Sequence, residues 1–156
     1  MGDEKQVAMT WNLPDLAATR ALAGRLAAVL RPGDAVLLEG PLGAGKSEFA
    51  RALLRAAAGD PTLEVPSPTF TLVQSYDLPQ GTAHHFDLYR LSGPAGLMEL
   101  GWDEAREGIV LVEWPERLGA LAPADALTIR LAPGMTEEAR QVTITGWDAK
   151  RAGLLA

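Results

Sequence analysis

A glycine-rich loop between two apolar segments constrains the fold of this chain more than any other feature. Residues 40–47 read GPLGAGKS and fit the pattern G-x-x-x-x-G-K-[ST] at every fixed position. The apolar run at 36–38 predicts a buried strand before the loop. Apolar residues then recur at helical spacing, at positions 49, 50, 53 and 54. Because a phosphate-binding loop requires the order strand, loop, helix, the segment predicts a nucleoside triphosphate site in an α/β fold.

The residue types in this loop suit phosphate binding, although a glycine-rich turn without function is the alternative. Glycines allow backbone angles that gather N–H groups around an anion, and the positive end of the next helix points to the same place. Lys46 can reach the β- and γ-phosphates, and the Ser47 hydroxyl can ligate Mg²⁺. We therefore predict a continuous nucleotide-binding set: Pro41, Leu42, Gly43, Ala44, Gly45, Lys46, Ser47 and Glu48.

Composition and length narrow the class of protein. The chain has 156 residues, of which 47% are hydrophobic, and we expect one domain over residues 1–156. The N-terminus lacks the basic and apolar regions of a signal peptide, and no apolar run approaches the ~20 residues of a membrane span. With the lack of cysteine, this predicts a cytoplasmic protein without membrane contact. The net charge of −6 argues against independent binding to nucleic acid.

Hydrophobic patterns and turn residues predict the remaining elements. The apolar run at 109–112 is typical of a central parallel strand. A turn at 77–81 predicts a hairpin between two β-rich segments, and the last ten residues are expected to be loosely held. The other predicted elements are strands at 6–11, 70–76, 82–89, 126–131 and 141–145, and helices at 14–30, 45–58, 94–100 and 102–106.

Two carboxylates are candidates for the chemistry of a nucleotide site. Glu113 follows the run at 109–112, where a Walker B carboxylate would hold Mg²⁺ or orient water, or it merely caps the strand. Asp87 lies in the segment HHFDLYR, and a period of two places it on one face with His85 and Tyr89. Such a polar face is costly to bury without a ligand, so Asp87 is a metal-binding or general-base candidate. A solvated polar face is the alternative.

Several other positions leave alternatives open. Thr69 could sense the γ-phosphate as a GTPase switch does, or belong to an ordinary proline turn. Trp114 could cover the nucleotide or fill core. Histidine ligands suit zinc and not nucleotide-bound Mg²⁺, so we reject a zinc site at His84 and His85. No Asn-Lys-x-Asp guanine motif follows the loop, which favours ATP.

Four motifs in order give the chain a resemblance to a known family. GPLGAGKS at 40–47, SPTFTLV at 67–73, HFDLYRL at 85–91 and VEWPE at 112–116 resemble the TsaE (YjeE) family, over about residues 10–146. The resemblance implies a small bacterial P-loop ATPase that supports formation of threonylcarbamoyladenosine in tRNA. It implies TsaD and TsaB proteins as partners, with tRNA reached only through their complex. The implied fold is a mainly parallel P-loop sheet with antiparallel additions, flanked by helices.

The resemblance also implies roles for individual residues. It makes Lys46 and Ser47 contacts to phosphate and Mg²⁺, and Asp87 and Glu113 catalytic or metal-binding carboxylates. It makes Thr69 a switch residue and Trp114 a residue of the nucleotide pocket. Two positions depart from the family pattern: Ser47 replaces the commoner threonine, and Pro41 replaces the usual aspartate. The hydroxyl is kept in the first, and neither change undermines ATP binding.

The expected reaction is attack of water on the γ-phosphate, with Lys46, Asp87 and Glu113 as catalytic residues. No arginine is clearly placed to stabilise the transferring phosphate, and Arg90 is the only candidate that lies in a motif. We therefore expect slow hydrolysis by the chain alone, with partners completing the site. A small-molecule kinase and a nucleotide-dependent binding switch remain the alternatives.

Overall fold

A computed structural model describes residues 8–68, 70–91 and 93–156. Within these residues, one sheet contains seven strands. They are β1 (Met9–Leu13), β2 (Ala35–Glu39), β3 (Val73–Leu78), β4 (Gly81–Asp87), β5 (Ile109–Glu113), β6 (Leu127–Pro133) and β7 (Arg140–Thr145). Their order across the sheet is β1-β7-β6-β2-β5-β4-β3.

The centre of the sheet is parallel and its two sides are antiparallel. β2 pairs in parallel with β5 and β6, and β4 pairs in parallel with β5. The β1–β7, β6–β7 and β3–β4 pairs are antiparallel. Every residue of β5 is buried, which explains its continuous apolar run, because a central parallel strand is covered on both faces. The predicted fold class is confirmed.

Helices cover both faces of the sheet. They are α1 (Leu16–Val29), α2 (Lys46–Ala58), α3 (Pro94–Glu99), α4 (Trp102–Ala105) and α5 (Ala149–Ala152), with 3₁₀ turns at Pro115–Leu121 and Gly153–Leu155. Ile109 and Leu111 of β5 pack with α1 and α2, whereas Val110 and Val112 pack in a second cluster with residues of α3 and α4. No helix in the part of the chain that the structure describes is long and apolar enough to cross a membrane.

The ends of α1 and α2 follow from local chemistry. The side chain of Asp15 accepts a hydrogen bond from the Ala18 N–H at 2.9 Å and caps α1. Pro14, predicted as the first helical residue, lies just before this cap. Gly59 ends α2 in the left-handed conformation, with φ 67°, where the sequence predicts the end.

The β3–β4 hairpin is displaced from its predicted position. β3 begins at Val73 instead of 70, because Leu72 has φ 68° and a left-handed residue cannot continue a strand. β4 ends at Asp87 instead of 89, so Tyr89 lies beyond the strand. The Asp87 N–H donates to the Leu72 carbonyl at 3.0 Å. Asp87 is therefore the last residue of its strand. At the N-terminus, residues 6–7 of the first predicted strand lie outside the described residues.

The expectation that the last ten residues are loosely held is wrong. Ala152 and Leu155 are buried in the core. The Arg151 guanidinium donates to both carboxylate oxygens of Asp34, at 2.8 and 2.5 Å. The Arg25 Nε donates to the Leu155 carbonyl at 2.7 Å. These contacts fix the C-terminal segment to α1 and to the turn before β2.

The C-terminal segment provides a test of this packing. Leu155→Ala should lower the free energy of unfolding by about 2–4 kcal/mol, because Leu155 is 1% exposed and its loss leaves a cavity. The matched control is Leu154→Ala, since Leu154 is 57% exposed and its loss should change stability by less than about 0.5 kcal/mol. Both values come from urea denaturation. Equal effects of the two substitutions would show that the segment does not pack as described.

Candidate functional site

The carboxyl ends of β2, β4 and β5 meet at one edge of the sheet, where open α/β sheets bind ligands. A cavity of about 510 Å³ lies there. Predicted site residues that line it are Leu42, Gly43, Gly45, Lys46, Ser47, Glu48, Asp87, Glu113 and Trp114. Pro41 and Ala44 belong to the loop but do not line the cavity: Pro41 is exposed, and Ala44 is buried in the core. Thr69 lies outside the described residues.

The loop between β2 and α2 favours glycine at two positions, because both have a positive φ and neighbouring atoms lie close to them. Gly40 has φ 149°, and a Cβ there would lie 2.5 Å from the Leu131 carbonyl oxygen. Gly45 has φ 98°, and a Cβ there would lie 2.9 Å from Arg140 Nε. Gly45 also caps α2 without a side-chain hydrogen bond. The first N–H groups of α2 are thus oriented toward the cavity, as in an anion-binding helix N-terminus.

Lys46 is held in this loop by two contacts. It is only 6% exposed, and its ammonium donates to the Gly40 carbonyl at 2.5 Å. The ammonium also lies 3.7 Å from the centroid of the Trp114 ring, a cation–π contact. Since an ammonium has three N–H donors, the bond to Gly40 leaves donors for a phosphate oxygen.

Trp114 reaches this position through a strained backbone. It has φ 59° and ψ 54°, directly after β5, and a residue other than glycine in this region costs about 1–3 kcal/mol. Its ring packs on Lys46 and lies 4.8 Å from the Tyr89 ring. Trp114 is half-buried and lines the cavity, so it is a wall residue and not simply core.

Glu113 is the centre of a buried hydrogen-bond chain. Its Oε1 accepts from the Ser47 hydroxyl at 3.1 Å, and its Oε2 lies 2.7 Å from His85 Nε2. Glu113 is 3% exposed and His85 is 1% exposed. Among the described residues His85 Nδ1 has no hydrogen-bond partner, so Nε2 is the ring nitrogen that serves the carboxylate. These hydrogen bonds join α2, β5 and β4 at the cavity.

Asp87 lies beside Glu113 through the register of β4 and β5. The two residues are paired across the strands, and both line the cavity. Asp87 is 6% exposed, and its Oδ1 accepts from the Tyr89 N–H at 3.1 Å. The polar face of β4 is therefore buried at His85 and Asp87, and the alternative of a solvated face is wrong.

The oxygens at Ser47 and Glu113 fit a magnesium ion. Two adjacent ligands of an octahedral Mg²⁺ at about 2.1 Å lie about 3.0 Å apart, close to the 3.1 Å between Ser47 Oγ and Glu113 Oε1. In the described part of the chain, no group of three or more His, Cys, Asp or Glu side chains could hold a metal by itself. Such a site suits Mg²⁺, which usually takes its remaining ligands from phosphates and water.

The two histidines do not converge on a common ligand. His84 Nδ1 lies 2.8 Å from the Ser75 hydroxyl, whereas His85 faces Glu113. Their separation follows from the alternation of side chains along β4. Burial lowers the pKa of His84 below its usual value.

Sequence reasoning missed the contact of His85 and the position of Arg140. The contact of His85 with Glu113 could have been inferred only from the strand register, although the period of two placed His85 on the correct face. Arg140 lines the cavity from β7, and no motif marks it. Arg90, the candidate arginine for stabilising the transferring phosphate, also lines the cavity. Its guanidinium lies 4.8 Å from the centroid of the Phe70 ring.

The chain matches a family of known proteins. The family model described as threonylcarbamoyl adenosine biosynthesis protein TsaE matches residues 13–142. The chain belongs to the TsaE family. This confirms the resemblance carried by the four sequence motifs.

Two relatives and one solved structure are similar to this chain. A Rickettsia felis protein named tRNA threonylcarbamoyladenosine biosynthesis protein TsaE is 42% identical to this chain over 114 residues. The match covers 72% of this chain and 66% of the relative, so the chain spans just under two thirds of that relative's length. A Bacillus subtilis protein of the same name is 33% identical over 139 residues, covering 88% of this chain and 85% of the relative. The crystal structure of Bacillus subtilis YdiB has a TM-score of 0.73 and 27% identity, covering 96% of this chain and 93% of that chain.

The buried hydrogen bond between His85 and Glu113 predicts that substitutions of these two residues in this TsaE-family protein have coupled effects on stability. His85→Phe should lower the free energy of unfolding by about 2–4 kcal/mol, because it leaves the buried Oε2 of Glu113 without its hydrogen-bond donor. Adding Glu113→Leu should then cost at least about 1 kcal/mol less than the same substitution in the wild type. Urea denaturation of the two single variants and the double variant gives the coupling. His84→Phe serves as the control, and strictly additive costs would show that the two side chains do not interact.

Proposed function

We propose that this TsaE-family chain is a Mg²⁺-dependent ATPase that supports formation of threonylcarbamoyladenosine in tRNA. The observation that carries the proposal is the convergence of Lys46, Ser47, Asp87 and Glu113 on one cavity at the carboxyl edge of the sheet. A cation, a hydroxyl and two carboxylates beside a glycine loop are the groups that phosphoryl transfer requires.

Binding would use the loop and the start of α2. The backbone N–H groups at residues 43–48 would surround the phosphates, and the Lys46 ammonium would neutralise the β- and γ-phosphates. Trp114 and Tyr89 would exclude water from this end of the cavity. ATP is the expected nucleotide because the sequence lacks a guanine-recognition motif.

Hydrolysis would use the carboxylates. Ser47 and Glu113 would hold Mg²⁺, which supplies positive charge to the phosphate oxygens when bound. Asp87 would orient a water molecule in line with the γ-phosphate and accept its proton. His85 fixes the Glu113 carboxylate through Oε2, which leaves Oε1 directed toward Ser47.

The chain alone is expected to hydrolyse ATP slowly. Arg90 packs on Phe70, which is 81% exposed, and Leu42 at the loop tip is 75% exposed. These exposed apolar side chains at the mouth of the cavity are suited to contact with another protein. We propose that TsaD and TsaB are these partners and that tRNA is reached only through their complex, since a net charge of −6 disfavours direct capture of RNA.

The carboxylates predict a specific pattern of loss. Asp87→Asn and Glu113→Gln should each lower the rate of phosphate release, measured with the partner proteins present, by roughly 10²–10⁴, with ADP affinity nearly unchanged. Asp77→Asn, at an exposed position of β3, is the matched control. Normal hydrolysis in either site variant would show that the substituted carboxylate has a structural role and no catalytic one. Phosphate transferred to an added acceptor, instead of released, would indicate a kinase.

The cellular role predicts a change in tRNA. Depletion of this protein should remove threonylcarbamoyladenosine from tRNAs that read codons beginning with adenine, measured by mass spectrometry of nucleosides. Reintroduced wild-type protein should restore the modification, and the Glu113→Gln variant should not. Unchanged modification after complete depletion, with no second copy of the gene, would contradict the proposed role.

A further inference from the structure

Arg140 reaches the nucleotide loop through the antiparallel side of the sheet. It is the first residue of β7 and pairs with Pro133, the last residue of β6. Because β6 runs parallel to β2, its carboxyl end lies at the same edge as the loop after β2. An arginine at the start of the antiparallel β7 is therefore placed beside the loop, although it lies far from it in sequence.

Only one of the three guanidinium nitrogens of Arg140 makes hydrogen bonds within the described residues. Its Nη1 donates to the carbonyls of Glu137 and Ala139, at 2.7 and 2.8 Å. Its Nε is buried against Gly45, and among the described residues it has no hydrogen-bond partner. Its Nη2 lies 3.9 Å from the nearest carboxylate oxygen of Glu48, which is longer than a hydrogen bond. A fixed positive charge thus lies beside the loop with only weak compensation.

Arg130 on the neighbouring strand shows what an ordinary surface arginine looks like in this protein. Its side chain is 72% exposed and lies 3.1 Å from a Glu39 oxygen. The Arg140 side chain is only 13% exposed, and it gives up most of its hydration for two carbonyl contacts and a distant carboxylate. Burying a guanidinium with so few hydrogen-bond partners costs free energy unless an anion supplies the missing interactions. The cavity that Arg140 lines is the place where such an anion would lie.

The side of the cavity on which Arg140 lies identifies the part of the ligand that it would contact. In the sheet order β7-β6-β2-β5, Arg140 and Glu113 lie on opposite sides of β2, which leads into the loop. Arg140 contacts Gly45 and approaches Glu48, which share one side of the first helical turn, whereas Ser47 points to Glu113. Arg140 therefore lies on the opposite side of the loop from the oxygens of Ser47 and Glu113 that are proposed to hold Mg²⁺.

We propose that Arg140 is a nucleotide-binding residue that contacts the diphosphate group retained in ADP, and not an arginine finger acting on the γ-phosphate. This inference rests on the proposed ATPase function. Arg140 would exchange its long contact with Glu48 for a charge-assisted hydrogen bond to a phosphate oxygen through Nη2. The contact would be equal in substrate, transition state and product, so its loss changes binding and leaves turnover intact.

Calorimetric titration with ADP and with a non-hydrolysable ATP analogue tests the proposal. Arg140→Gln should bind both ligands about 10- to 100-fold more weakly, whereas kcat at saturating ATP should stay within about twofold. Arg130→Gln, the same change on the adjacent strand, should bind both ligands as the wild type does. Wild-type ADP affinity in Arg140→Gln, or a loss confined to kcat, overturns the proposal.

Two further measurements separate ligand contact from a structural role. If Arg140 only braces the loop, Arg140→Gln lowers the Tm of the free protein but ADP raises that Tm as much as in the wild type, which overturns the proposal. Arg140→Lys keeps the charge and loses the planar fork, and should bind ADP about three- to tenfold more weakly. If Arg140→Gln does not fold, an ADP affinity of Arg140→Lys equal to that of the wild type overturns the proposal instead. Failure of the wild type to bind either nucleotide overturns the ATPase proposal itself.

Discussion

The carboxylate of Glu113 is the group on which the arrangement of the site depends. It is 3% exposed, and a buried charge is stable only with polar partners. One oxygen faces the Ser47 hydroxyl at the start of α2, and the other faces His85 on β4. A single side chain on β5 thus fixes the loop helix and a neighbouring strand relative to each other, where phosphate chemistry would occur.

The loop itself is held from the opposite side by close packing. Gly40 lies against the Leu131 carbonyl of β6, and Gly45 lies against the Arg140 side chain of β7. The loop conformation is therefore determined by its neighbours in the sheet as well as by its own glycines. A loop restrained on both sides presents its N–H groups in a fixed geometry before a ligand arrives, which lowers the cost of organising the site.

The parts of the fold that were predicted correctly depend on local chemistry. The strand β5 is a continuous apolar run because both of its faces are covered, and α2 ends at Gly59 because a left-handed cap favours glycine. The misplaced parts depend on distant contacts. Leu72 has a positive φ that its own sequence does not indicate, and the C-terminal segment is fixed by the pairing of Arg151 with Asp34, 117 residues away.

The same division applies to the site. The sequence by itself determined the loop with Lys46 and Ser47 and placed Glu113 at a strand end, since a phosphate-binding loop and a central strand are encoded in consecutive residues. Only the tertiary structure decided which residues join them. Ser47 and Glu113 are 66 residues apart. His85 reaches Glu113 through the register of β4 with β5, and Arg140 reaches the loop through the antiparallel return of β7. Strand pairing is a long-range interaction, so no local pattern in one sequence indicates which side chains it brings together.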